Sequence, residues 1–144
     1  LVAVEHFHRL YKCNLWGISI EHIVNHYRDL KVWQKALDWA EAVYIATAAW
    51  PRDERFGLIS QIRRSAVSVA SNIAEGAARR TTGEFLQFVG IAQGSLAEAE
   101  TQLLLAQRLG YATGKDGSRL LLASDEISRM LAGLASSLRR RRGP

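Results

Sequence analysis

Cysteine is almost missing from this 144-residue chain. Cys13 stands alone, which excludes an intramolecular disulfide framework and fits a reducing compartment. Proline occurs only at Pro51 and Pro144, so long stretches are free to be helical. No apolar run approaches the ~20 residues that span a bilayer. Glu5 and its polar neighbours also interrupt any basic-then-apolar signal segment at the start. The expectation is a cytoplasmic protein with no membrane partner. Histidine is confined to His6, His8, His22 and His26. From Tyr27 onward the chain therefore lacks the imidazole base, the thiol nucleophile and the common metal-ligand sets. No Glu-x-x-His spacing of the kind di-metal bundles use occurs there either. Glu98 and Glu100 point about 200° apart on a helix, and Gly110, Gly114 and Gly117 flank no phosphate-loop lysine. Neither an enzyme nor a cofactor or metal site is expected.

What remains is ordinary for one globular domain: 48% hydrophobic and 23% charged residues. The net charge of +5 is unevenly placed. Of the 19 basic residues, four are Arg139, Arg140, Arg141 and Arg142, so the other 15 nearly balance 14 acidic ones. Residues 1–28 follow no helical or alternating period and read as an N-terminal extension, ill-ordered or lying ahead of the true start. Val24 is then a candidate initiator. The spacings His6-x-His8 and His22-x3-His26, with Cys13, are a weak candidate for metal binding, weighed against that plain extension. Residues 29–140 read as a four-helix bundle and 141–144 as a basic tail.

The helices follow from apolar period. Asp29 can cap a first helix to Trp50, with Leu30, Trp33, Leu37, Ala40 and Tyr44 inward, ended by Pro51. A second, from Asp53 to Glu75, presents Leu58, Ile62, Ala66, Val69 and Ile73. Gly76 reads as its left-handed stop. Thr81-Thr82-Gly83-Glu84 reads as a capping box opening a third helix to Leu109. That helix carries Phe85, Val89, Ala92, Leu96, Ala99 and Leu103 inward, and Gly110 closes it. A fourth helix, from Ser118 to Arg140, carries Leu120, Ile127, Leu131, Leu134 and Leu138. Short links predict an all-α, up-down-up-down antiparallel bundle.

Two helices look packed on both sides. Opposite its core face, the third carries Gly90, Ile91, Gly94, Thr101 and Leu105, and two exposed glycines would cost about 1 kcal/mol each relative to alanine. The second helix carries Ser60, Val67 and Ser71 away from its core. These eight positions are the candidate subunit interface, the plain alternative being a tolerated small-residue surface.

The sequence resembles the four-helix bundle proteins encoded in intervening sequences of bacterial 23S rRNA genes. The likeness spans residues 27–138. It rests on the run Tyr27–Ala36, on Phe56-Gly57-Leu58, and on Gln61-Ile62-Arg63-Arg64-Ser65-Ala66-Val67-Ser68. Ser71-Asn72-Ile73-Ala74-Glu75-Gly76, Glu84-Phe85, Ile91-Ala92, Gly94-Ser95-Leu96, Glu98 and Glu100 complete it. The chain departs from the family pattern at Ala70, Ala78, Gln93 and Ala99. Gln93 removes a positive charge that the family favours there. The resemblance implies a ring-like homopentamer. It also implies kinship with the accessory bundle of diversity-generating retroelements, which partners a reverse transcriptase and binds nucleic acid.

The candidate nucleic-acid contacts are arginines: Arg63 and Arg64, Arg79 and Arg80, and Arg139 to Arg142, whose guanidinium forks suit phosphate oxygens. Arg63 could instead pair with Glu54, Glu98 or Glu100. Arg79-Arg80 at the second turn and the Arg139–Arg142 run are expected at opposite ends of the bundle. Trp33, Trp39 and Tyr44 are expected in or near the core. The favoured function is an oligomeric scaffold binding structured RNA or another nucleic acid. The alternative is a protein-interaction adaptor, for instance for a reverse transcriptase.

Overall fold

A computed structural model describes residues 27–142. The four histidines and Cys13, and with them the candidate metal spacings, lie outside the described residues. Four α-helices and no strand are present among these residues: α1 Lys31–Thr47, α2 Leu58–Ala77, α3 Thr82–Arg108 and α4 Gly114–Arg142. Short 3-10 turns at Tyr27–Asp29 and Arg52–Phe56 precede α1 and α2.

Local chemistry explains the helix ends. Leu30 occupies the N-cap of α1 without a side-chain cap bond, so Asp29 belongs to the preceding turn and does not cap the helix. Beyond Thr47 the amides of Ala48, Ala49 and Trp50 bond three residues back, tightening the last turn. That turn carries Trp50 inward, its ring centroid 6.3 Å from that of Tyr111. Helix α2 begins later than the sequence predicts because the chain breaks at Gly57, and Glu54 caps the new start by accepting from the Leu58 amide at 2.9 Å. The capping box of α3 forms as predicted. Thr81 Oγ1 accepts from the Glu84 amide at 3.2 Å, and Glu84 Oε2 accepts from the Thr81 amide at 3.2 Å. Gly110 closes α3 with φ of 77°, the left-handed value that favours glycine.

Gly76 does something else. It lies buried within α2, and a Cβ there would come within 2.7 Å of Phe85 Cδ2 and Phe88 Cβ. Its missing side chain lets α2 and α3 approach; it is not a left-handed stop.

Successive helices pack on one another and α4 closes back onto α1. Directions follow from paired residues. On α2 and α3, Ser68 Oγ meets Ser95 Oγ at 3.0 Å while Gly76 lies against Phe85, so the pair is antiparallel. Asn72 Nδ2 donates to Ser68 O at 2.8 Å and to Ser68 Oγ at 2.9 Å, extending that polar seam. Along α1 and α4, Lys35 Nζ pairs with Glu126 Oε1 at 3.1 Å and Trp39 Nε1 donates to Leu120 O at 2.9 Å, again antiparallel. Helix α1 meets α2 in the same sense: Arg63 reaches Thr47, while Trp33 shares a groove with Ala74.

The predicted faces of α2 and α3 are buried throughout. That of α1 is turned. Its core residues are Val32, Ala36, Trp39, Ala40, Val43 and Thr47, whereas Leu37 and Tyr44 are about half exposed. Helix α4 starts at Gly114 rather than Ser118, with Gly117 tucked against Ala112 O and the Gln107 side chain. On α4, Ala135 is buried and Leu134 only partly so. The helix continues through Arg142, so the arginine run is the last helical turn and not an appended tail.

Candidate nucleic-acid interface

The arginines sort by what holds them. Arg63 is engaged inside the fold: its Nε donates to Thr47 Oγ1 at 2.8 Å and its NH2 to Tyr44 O at 3.3 Å. Its guanidinium sits 4.6 Å from the Tyr44 ring centroid. A cation on the last carbonyls of α1 offsets the negative end of that helix. No acid pairs with it among the described residues. Arg64, one step round the helix, is exposed and has no such partner among the described residues. Arg79 pairs with Glu75 one turn back and lies 4.7 Å from the Phe88 ring centroid. Arg80, Arg139 and Arg141 are exposed without a hydrogen bond or ion pair among the described residues, and Arg140 donates to Ser136 Oγ at 2.9 Å.

By helix direction the arginine groups lie toward the same end of the molecule, where the sequence reading expects opposite ends. Arg79 and Arg80 follow the last turn of α2, where Ala74 faces Trp33 near the start of α1. Helix α4 runs antiparallel to α1, so beyond Glu126 it too proceeds toward the start of α1 and finishes there with Arg139–Arg142. Two helices lie between the turn and the end of α4, and two traversals return the chain to the same end. Arg28 and Lys31, which the sequence reading passed over, also stand there, both exposed. Asp29, Glu75 and Glu84 are the acids at this end, and Glu75 is already paired. The excess is therefore positive, on flexible guanidinium forks in water, an arrangement that attracts phosphates without fixing a sequence.

The eight candidate interface positions fall on two faces. On α3, Gly90 and Gly94 are open, with nothing within 4 Å of where a Cβ would stand, and Ile91 and Leu105 are about half exposed beside them. Thr101 is exposed, its hydroxyl bonded to Ala97 O at 2.8 Å. On α2, Ser60 is exposed, while Val67 and Ser71 turn toward α1. There they line a groove of about 220 Å³ with Tyr27, Trp33, Leu37, Ala40, Ala70 and Ala74. Tyr27 and Trp33 meet edge to face at 5.1 Å. Trp33, expected in or near the core, packs partly buried against the core's edge and lines this groove.

Among the described residues no three His, Cys, Asp or Glu converge as a metal site, and no helix is long and apolar enough to cross a membrane.

Residues 28–133 match the sequence family described as 23S rRNA-intervening sequence protein. Among solved structures, the chain is similar to a protein of unknown function from the S23 ribosomal protein family of Bacteroides thetaiotaomicron VPI-5482. The two share 26% identity over 72% of this chain and 97% of that one, with a TM-score of 0.66. No curated protein matches.

Proposed function

Because the chain belongs to the 23S rRNA-intervening sequence protein family, we propose that it is a cytoplasmic, non-enzymatic up-down-up-down bundle whose arginine-rich end binds nucleic acid, RNA by preference. One observation carries this reading: Arg28, Lys31, Arg79, Arg80 and Arg139–Arg142 come from three separate segments and gather at one end. Separate segments converging on one sign of charge act as one electrostatic surface for a polyanion. Arg63 has no part in it, being committed to α1. The preference for RNA follows the family's name.

The test is the salt dependence of binding to a structured RNA hairpin. Affinity is expected to fall steeply with salt, and a chain ending at Leu138 is expected to lose about three from the slope of log K against log salt. Full binding by the truncated chain, or none by the intact chain at low salt, overturns the reading.

Self-assembly is the second part of the proposal. The open lane of Gly90, Ile91, Gly94 and Leu105 suits close approach by another helix, and the ring-like homopentamer implied by the family resemblance would use it. Native mass spectrometry of the wild type and of Gly94→Leu tests this; a monomer, or an unchanged assembly in the variant, overturns it. A competing reading, an adaptor for a protein such as a reverse transcriptase, is favoured by Phe56. That side chain is 86% exposed at the other end of the bundle, in the α1–α2 connection. A partner lost on Phe56→Ser while RNA affinity stays unchanged would favour it.

A further inference from the structure

The groove between α1 and α2 opens beside the arginine end, and its chemistry differs from everything around it. Not one of its eight lining residues is charged. At the end nearest the arginines it is walled by Tyr27 and Trp33, with Ala74 opposite, about one turn before Arg79. Arg28 stands at the same mouth, its guanidinium 5.7 Å from the Tyr27 ring centroid. Further in, Leu37 and Val67 are nearly half exposed on either shoulder. The Ser71 hydroxyl has no hydrogen-bond partner among the described residues and can give or accept one.

An uncharged aromatic slot flanked by guanidinium groups is the combination that holds an unpaired nucleotide. The cations take the phosphates, while the slot takes a base that is unstacked from its neighbours. A duplex cannot use it, because its bases are stacked and paired. We propose that the α1–α2 groove accepts an unpaired base, so that the ligand of the arginine end is single-stranded or looped RNA. The base meets the indole of Trp33, its polar edge reaches Ser71, and the adjoining phosphates meet Arg28 and Arg80. This rests on the reading of the arginine end as a nucleic-acid surface, but adds a discrimination that charge alone cannot give.

The test compares a 12-nucleotide oligouridine strand with a 12-base-pair RNA duplex at equal low salt, using the full chain. The strand is expected to bind about tenfold more tightly and to quench tryptophan emission, and Trp33→Phe is expected to abolish most of that quench. Val67→Trp fills the groove from an exposed shoulder and leaves the arginines untouched. It is expected to weaken strand binding about tenfold and leave duplex binding unchanged. Ser71→Phe fills the groove one turn nearer the arginines and serves if Val67→Trp does not fold by circular dichroism. Equal binding of strand and duplex, or unaltered strand binding by the filled groove, overturns the base slot while leaving the arginine surface standing. Failure of both ligands to bind at low salt overturns both readings. A filled groove that changes the native mass but not strand affinity also overturns the base slot, since a second copy of the chain would then occupy it.

Discussion

At the scale of single residues, two positions carry more of the fold than their types suggest. Arg63 stitches α2 to the end of α1 through Thr47 and Tyr44. Arg63→Ala is expected to cost about 1–2 kcal/mol in urea denaturation, from a lost part-buried hydrogen bond and the contact with the Tyr44 ring. The same variant should leave the salt slope of RNA binding unchanged, which separates it from Arg80. Gly76 is the second. A methyl group there meets Phe85 and Phe88 at 2.7 Å, and the backbone of a tightly packed helix pair cannot readily yield. Gly76→Ala is expected to destabilise by about 1–3 kcal/mol, with thermal melting by circular dichroism as the check. Sequence alone singles out both residues: Gly76 as a left-handed stop, which it is not, and Arg63 as a phosphate contact or an ion-pair partner, where the fold gives it Thr47 and Tyr44. An arginine and a glycine state their options, and only the neighbouring helix decides between them.

At the scale of elements, what the sequence made legible depended on how clean each helix's pattern is. Helices α2 and α3 each keep one regular apolar stripe beside a second face of small residues with Val67, Ile91, Leu104 and Leu105, and their core faces came out as read. The α3 start was legible too, because Thr81 and Glu84 satisfy orphan amides by local bonds that need no tertiary partner. Thr81→Ala is expected to lower stability by about 1 kcal/mol, measured by the same denaturation. Helix α1 has alanine, valine, leucine and aromatic residues on most of its circumference, so period alone selected the stripe containing Trp33, Leu37 and Tyr44. Packing selected the other. Small Ala36 and Ala40 with Val43 let α1 lie close, and Trp39 finds an acceptor in Leu120 O. From the stripe that packing turned aside, Trp33 and Leu37 line the groove, while Tyr44 lies under Arg63.

At the scale of the whole molecule, an even number of helices between the α2–α3 turn and the α4 terminus brings two distant arginine groups together. Topology alone carries this, because α3 and α4 together return the chain to the end that α3 leaves. Its consequence can be measured. If both groups serve one ligand, Arg79→Ala with Arg80→Ala and truncation after Leu138 should each shallow the salt slope, and their combination should approach the sum. Stoichiometry by titration should stay at one site per chain throughout; two separately saturating phases would mean two independent sites. The same arrangement bears on how encounters begin. Asp38, Glu41, Glu98, Glu100, Asp125 and Glu126 lie along the middle of the bundle, away from the arginine end. The opposite end sets Arg52, Arg55, Arg108, Lys115 and Arg119 against Asp53, Glu54 and Asp116, so it is only weakly basic and the field is strongest at the arginine end. A polyanion diffusing near is drawn toward that stronger pole, so association should be fast at low ionic strength and slow sharply as counterions shorten the reach of that field.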